Sequence, residues 1–280
     1  MQKNDFKKIK CNLCNSEKTK KKIKIILRDR FEVASGVNKK NFHRYWYKCN
    51  YCNSLFNVHK NNNEKKLKKI SKKYFKIDFP NVTPLQRFKR IINLPNKGSD
   101  NFYRVKRIVK FLSTKKKKPK LLDFGAGLGI FLYELIKKNF KKKKNWKLFS
   151  FETDKSNKIL LNQIKGITNI DHNIFKKKKK FDFITLNKVL EHINKPSKFL
   201  KDIIDILNVN GTIYIEVPHI SGANRKNDNS LVSLHYNIYS TKSLKLIASK
   251  LNLKILKIKI INEPSSKKTI YAFMRIKTNV

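Results

Sequence analysis

The chain has 280 residues, and its 67 Lys and Arg against 19 Asp and Glu give a net charge of +48. That length holds one full α/β domain and a small appendage. No apolar run approaches the ~18 residues of a spanning helix, and the opening MQKNDFKKIK has no apolar core of a secretory signal, so a cytoplasmic protein without a membrane partner is expected. The charge suits a polyanion such as RNA. It also follows from enrichment in Lys, Asn and Ile, all served by A/T-rich codons, and the lysine runs at 115–118, 141–144 and 176–180 fall between expected elements. Arg, the residue suited to bidentate phosphate recognition, is scarce, so any nucleic-acid binding is expected to be nonspecific.

In chain order, residues 1–60 carry the first motif. The cysteines are Cys11, Cys14, Cys49 and Cys52, two C-x-x-C pairs in matching frames, CNLCNS and CNYCNS. Such pairs clamp a cation only if the chain curls tightly, and Asn tolerates the left-handed backbone that a curl needs. Four thiolates complete a tetrahedral Zn2+ site with no open position, so the expected metal is structural. A redox C-x-x-C fits two matched pairs poorly, and disulfides are disfavoured in a reducing compartment. Between the pairs, IKIILRDRF and FHRYWYKC read as strands of a ribbon-like module. Its aromatic residues, Tyr45 to Tyr47 among them, are expected to pack beside the metal rather than stack on bases.

Residues 61–112 read as a helical linker or cap, with Leu67, Ile70, Tyr74, Leu85, Phe88 and Ile91 at helical spacing. Its last helix, about 100–112, is expected to pack onto the domain that follows. From 113 to 280 strand and helix signals alternate. KLLDF leads to a helix through Phe131 and Leu135, and LFSFE leads to a helix capped by Asp154. ITNID, FDFITLN, a helix with Pro196 in its first turn, GTIYIEVP and a helix at 240–251 follow. Two closing strands, LKILKIKII and TIYAFMRIK, form a hairpin.

The first strand of this region runs into Asp123-x-Gly125-x-Gly127-x-Gly129, and the second ends on Glu152. Glycines let a ligand approach the backbone, and an acid on either side suits a ligand carrying an amine and a ribose. A dinucleotide fingerprint would need glycine at Ile130. With Asp123 in front, the turn resembles motif I of the class I S-adenosylmethionine-dependent methyltransferases. FDFITLNKVLEHINKPSKFL, GTIYIEVPH and LHYNIYSTKSLKLIASKLNL are similar to the later motifs of their small-molecule members, so the resemblance spans about 120–277.

The resemblance implies an α/β Rossmann-like domain with a seven-stranded, mostly parallel sheet and a C-terminal antiparallel hairpin. It implies S-adenosylmethionine as cofactor, with Asp123, Gly125 and Gly127 at its methionine end and Glu152 on both ribose hydroxyls. Glu191 would lie near the methionine moiety, and Asp171 or Asn173 near the adenine amine. The acceptor's proton would go to His235 or His219, with His192 a further candidate. A four-cysteine module before this domain is similar to zinc-containing methyltransferases of sugar and surface-polysaccharide pathways, which implies a small-molecule acceptor such as a nucleotide sugar. Their C-methylating members carry a further large C-terminal domain that does not fit here, so O- or N-methylation is expected. The alternative is a zinc-containing rRNA or tRNA methyltransferase. Against it stand the 34-residue gap from Cys14 to Cys49, and LNKVLEH where an adenine-amine enzyme carries an Asn/Asp-Pro-Pro-aromatic loop.

Overall fold

A computed structural model describes residues 9–40, 42–59, 63–112, 119–141, 146–176, 179–223 and 229–277. The lysine runs at 115–118 and 142–144, and Lys177 and Lys178, lie outside the described residues.

The N-terminal module is an antiparallel ribbon of β1 (Thr19–Ile25), β2 (Arg44–Cys49) and β3 (Leu55–Val58). RDRF, expected to continue the first strand, instead turns into α1 (Arg30–Ala34). The reason is local. Asp29 accepts hydrogen bonds from the Phe31 and Glu32 amides, and the Glu32 carboxylate accepts one from the Asp29 amide, a capping box that outcompetes strand. Four helices then bridge to the second half: α2 (Asn63–Ile70), α3 (Tyr74–Asp78), α4 (Pro84–Ile92) and α5 (Asp100–Leu112).

The second half comprises β4 (Lys120–Phe124), α6 (Ile130–Lys141), β5 (Lys147–Phe151), α7 (Lys155–Gln163), β6 (Ile167–Ile170), β7 (Phe181–Asn187), α8 (Pro196–Asp205) and β8 (Leu207–Pro218). A two-residue strand, β9 (Asn237–Ile238), precedes α9 (Thr241–Lys250), β10 (Leu253–Asn262) and β11 (Lys268–Ile276). The seven-stranded sheet runs β10-β11-β8-β7-β4-β5-β6, with β11 antiparallel to both neighbours and the rest parallel. Alternation along the strands divides the core between two faces. Leu122, Ile184 and Leu186 face α8 and α9, while Leu121, Leu148 and Phe183 face Val105 and Ile108 of α5 and Leu132 and Leu135 of α6. Truncating one of these, such as Phe183, to Ala would cost about 3–5 kcal/mol. Chain order reverses between β4 and β7, and it is at such a switch point, outside the carboxyl ends of the strands, that open α/β sheets form their ligand crevice.

β9 belongs to the other sheet. It pairs with β3 at Leu55↔Ile238 and Phe56↔Asn237, giving the order β1-β2-β3-β9. The module is therefore closed by a strand from the second half. Among the described residues no helix is long and apolar enough to cross a membrane.

Candidate functional site

The turn after β4 forms one wall of the crevice. Gly125, Gly127 and Gly129 all have φ in the left-handed region, at +75°, +54° and +74°. Their surroundings differ. A Cβ on Gly125 would lie 2.7 Å from Val189 Cγ2, and one on Gly129 would lie 2.5 Å from Leu161 Cδ2. Those two glycines let loop and helix pack. A Cβ on Gly127 would meet nothing within 4 Å, so here the missing side chain leaves open space for a ligand.

Glu152 sits opposite, just beyond β5. Its carboxylate accepts from the amides of Gly127 (2.6 Å), Thr153 (2.6 Å) and Asp154 (2.8 Å). Burial raises its pKa, and the three amides pull it back. Asp123 is buried on β4, where it accepts from Thr185 Oγ1 at 2.6 Å and Asn187 Nδ2 at 2.9 Å. Burial pushes its pKa up to about 7 against these bonds and the nearby Arg104 guanidinium. Asn187 Oδ1 is buried without a hydrogen-bond partner. This donor–acceptor set fits S-adenosylmethionine: an acid and an amide oxygen for an ammonium, an open glycine backbone, and a second acid for two hydroxyls. Asp171 and Asn173 are engaged with each other in a turn after β6.

The other wall is built by the segment after β7. Lys188 adopts φ 55°, a strained left-handed conformation that turns the chain sharply and brings Val189 over Gly125. Glu191 and His192 follow, and His235 approaches from the segment before β9. One ligand atom from each of these three lies within 4.8 Å of the other two. The imidazoles meet edge to face, with centroids 4.6 Å apart. His192 Nδ1 faces the Leu234 carbonyl at 3.1 Å, and His235 Nδ1 faces the Ser230 carbonyl at 2.7 Å. Burial lowers the His192 pKa to about 4, drives that of His235 well below its ordinary value, and raises that of Glu191 to about 7. Both rings are thus neutral. The structure brings Glu191, His192 and His235 together. His219 is engaged in its own turn, with Nδ1 2.7 Å from Ser221 Oγ.

The sequence reading missed a buried ionic cluster beside this wall. Glu216 of β8 accepts from Arg104 Nε (3.0 Å), Arg107 Nη2 (2.8 Å) and Tyr214 OH (2.5 Å). Lys188 and Arg104 also pair with Glu263 at 3.3 and 3.5 Å. These cations hold Glu216 well below the usual carboxylate range despite its burial. The cluster fastens α5 onto the sheet next to Asp123. The signal was present: Glu216 is an acid within the apolar strand phrase GTIYIEVP, and buried acids are rarely left unpaired.

In the module, Asn15 and Asn53 take the expected left-handed conformation, with φ 62° and 54°. The two turns match bond for bond: Cys11 and Cys49 amides donate to Ser16 and Ser54 carbonyls, and Asn15 and Asn53 amides donate to Cys11 and Cys49 carbonyls. The sulfurs of Cys11 and Cys52 are 3.7 Å apart and those of Cys14 and Cys49 3.6 Å. No disulfide joins them. An ion bonded to four sulfurs at about 2.3 Å separates them by about 3.8 Å, so the cluster has the size of a tetrahedral zinc site.

The family model described as "Methyltransferase domain" matches residues 98–258, more than half of the chain, and the chain belongs to that family. Among solved structures, coclaurine N-methyltransferase bound to N-methylheliamine and SAH is 10% identical with a TM-score of 0.50, the match covering 62% of this chain and 70% of that one. LepI in complex with SAM is 15% identical with a TM-score of 0.49, over 60% of this chain and 46% of that one. The PH0226 protein from Pyrococcus horikoshii OT3 is 13% identical with a TM-score of 0.46, over 68% and 99%. The chain thus spans under half the length of LepI. At these identities the likeness is one of fold. No curated protein sequence matches the chain.

Proposed function

We propose that this chain is an S-adenosylmethionine-dependent methyltransferase acting on a small-molecule acceptor, with a nucleotide sugar or related surface-polysaccharide precursor the leading class. The observation that carries this reading is the open backbone at Gly127, flanked by Asp123 and by Glu152. Bound S-adenosylmethionine supplies a methyl group on a sulfonium. Asp123 would orient the cofactor's ammonium, the open backbone at Gly127 would admit its methionine end, and Glu152 would receive the ribose hydroxyls, while Gly125, first expected beside Gly127 at the ligand, serves the packing of Val189. Much of the acceleration then comes from placing the acceptor in line with the methyl group.

On the acceptor side we assign His235 as proton acceptor. A carbonyl only accepts hydrogen bonds, so His235 Nδ1 carries the proton and its Nε2 lone pair is available. Glu191, first expected at the methionine moiety, is placed in this reading beside the acceptor, where its charge would offset an imidazolium. His219, spent on Ser221, is set aside.

We further propose that Cys11, Cys14, Cys49 and Cys52 hold one structural Zn2+, and that the protein works in the cytoplasm, where the thiols stay reduced. The divisions 1–60, 61–112 and 113–280 describe its working parts, with β9 reaching back into the first. The test is transfer of labelled methyl from S-adenosylmethionine into a cell extract separated into small-molecule and RNA fractions. Label in the small molecules is expected, whereas label confined to RNA would overturn the acceptor class.

A further inference from the structure

We propose that Glu191, His192 and His235 form a socket of hydrogen-bond acceptors for a primary amine, so that the atom methylated is nitrogen. This rests on the methyltransferase reading and narrows its acceptor. Both Nδ1 atoms face backbone carbonyls, at 3.1 Å for His192 and 2.7 Å for His235, so each must carry a hydrogen and each Nε2 presents a lone pair. Glu191 is 1% exposed and its Oε2 has no hydrogen-bond partner. One ligand atom of each group lies within 4.8 Å of the other two, and with Glu191 ionised, the form that a neighbouring cation favours, the cluster offers three acceptors. A hydroxyl brings one hydrogen and leaves two acceptors unmet. A primary ammonium brings three.

The step balances. The ammonium gives one proton to His235 Nε2, and the imidazolium formed lies beside the Glu191 carboxylate. The freed nitrogen lone pair bonds the methyl carbon as the carbon–sulfur pair returns to sulfur. The secondary ammonium product keeps two N–H groups, which Glu191 and His192 accept. The proton on His235 leaves to solvent on release.

The same lone pairs would also suit a divalent metal, so the test separates the two. The full chain, saturated with S-adenosylhomocysteine and 15N-labelled on histidine, is titrated with methylammonium chloride, methanol or manganese chloride. Saturable shifts of the His192 and His235 Nε2 signals with methylammonium, absent with methanol, are expected. Glu191→Gln, nearly isosteric, should weaken that response about tenfold or more. Equal response to methanol, or a response to manganese alone, would overturn the socket. In parallel, extract incubated with protein and 13C-methyl-labelled S-adenosylmethionine reports the acceptor atom by the methyl carbon's chemical shift. Label on nitrogen supports the proposal, and label on oxygen or carbon refutes it while leaving methyl transfer intact. No transfer at all would count against the parent reading.

Discussion

Replacing Glu152 separates ligand binding from turn geometry. Its carboxylate accepts three backbone amides at 2.6–2.8 Å, one of them from Gly127 in the ligand turn. In Glu152→Ala all three donors lose a charged partner. Each such bond is worth about 1.5–3 kcal/mol, but Thr153 is exposed and water can replace part of the loss. We therefore expect about 2 kcal/mol of destabilisation, a fall in Tm of roughly 4–8 °C for a chain of this size. The ribose contact is lost as well, so S-adenosylmethionine affinity should drop by about 1.5–3 kcal/mol, roughly 10- to 150-fold. Glu152→Gln keeps the size and one oxygen acceptor but cannot serve Gly127 and the ribose together, so its affinity should fall while Tm falls less. Calorimetric titration paired with thermal unfolding reads both quantities. A Kd within twofold of wild type in Glu152→Gln, with only Tm reduced, would show that the acid merely shapes the turn.

Three further outcomes are expected. His235→Ala should lower turnover on the true acceptor by about 10²–10⁴-fold with cofactor affinity nearly unchanged, and near-wild-type turnover would remove its role. Metal analysis should find one zinc per chain. Cys49→Ser should unfold the module and abolish acceptor turnover, because β3 and Asn57, which donates to the His235 carbonyl at 3.1 Å, hold the segment bearing His235, while cofactor affinity survives; a metal-free chain with normally titrating thiols would contradict this. Finally, Asp123 and Glu191 rise to about 7 from 3.8 and 4.5 in the open chain, chiefly through burial, so their contribution to stability is full below those lower values and is lost as pH climbs through about 7. A cationic ligand favours ionised Asp123, so S-adenosylmethionine affinity should fall as pH drops from about 8 to 6, with proton uptake or release measured in buffers of different ionisation enthalpy; pH-independent affinity without proton release would count against it.

Local signals were legible wherever the chain's own neighbours decide the outcome. Asp154 caps α7 through the Ser156 and Asn157 amides, Pro196 opens α8, and both knuckle asparagines take positive φ. The glycine turn was legible as a motif but not in its division of labour, because Leu161 and Val189, which assign Gly129 and Gly125 to packing, come from elsewhere in the chain. β9 was illegible for the same reason. Two residues carry no periodicity, and their strand identity exists only through β3. The grouping of Glu191 with His235 depends on that pairing and on the Tyr236 amide donating to the Glu191 carbonyl at 2.7 Å.

The most direct measurement is equilibrium binding of S-adenosylmethionine and NADH to the purified chain, with Gly127→Arg in parallel. Gly127 is where a side chain would enter open space rather than packed protein, so arginine there should fill the ligand's place and leave the fold intact apart from the strain of a positive φ. Saturable, 1:1 binding of S-adenosylmethionine to the wild type, none to Gly127→Arg, and no tight binding of NADH to either are expected. Tight NADH binding with no S-adenosylmethionine binding would contradict it.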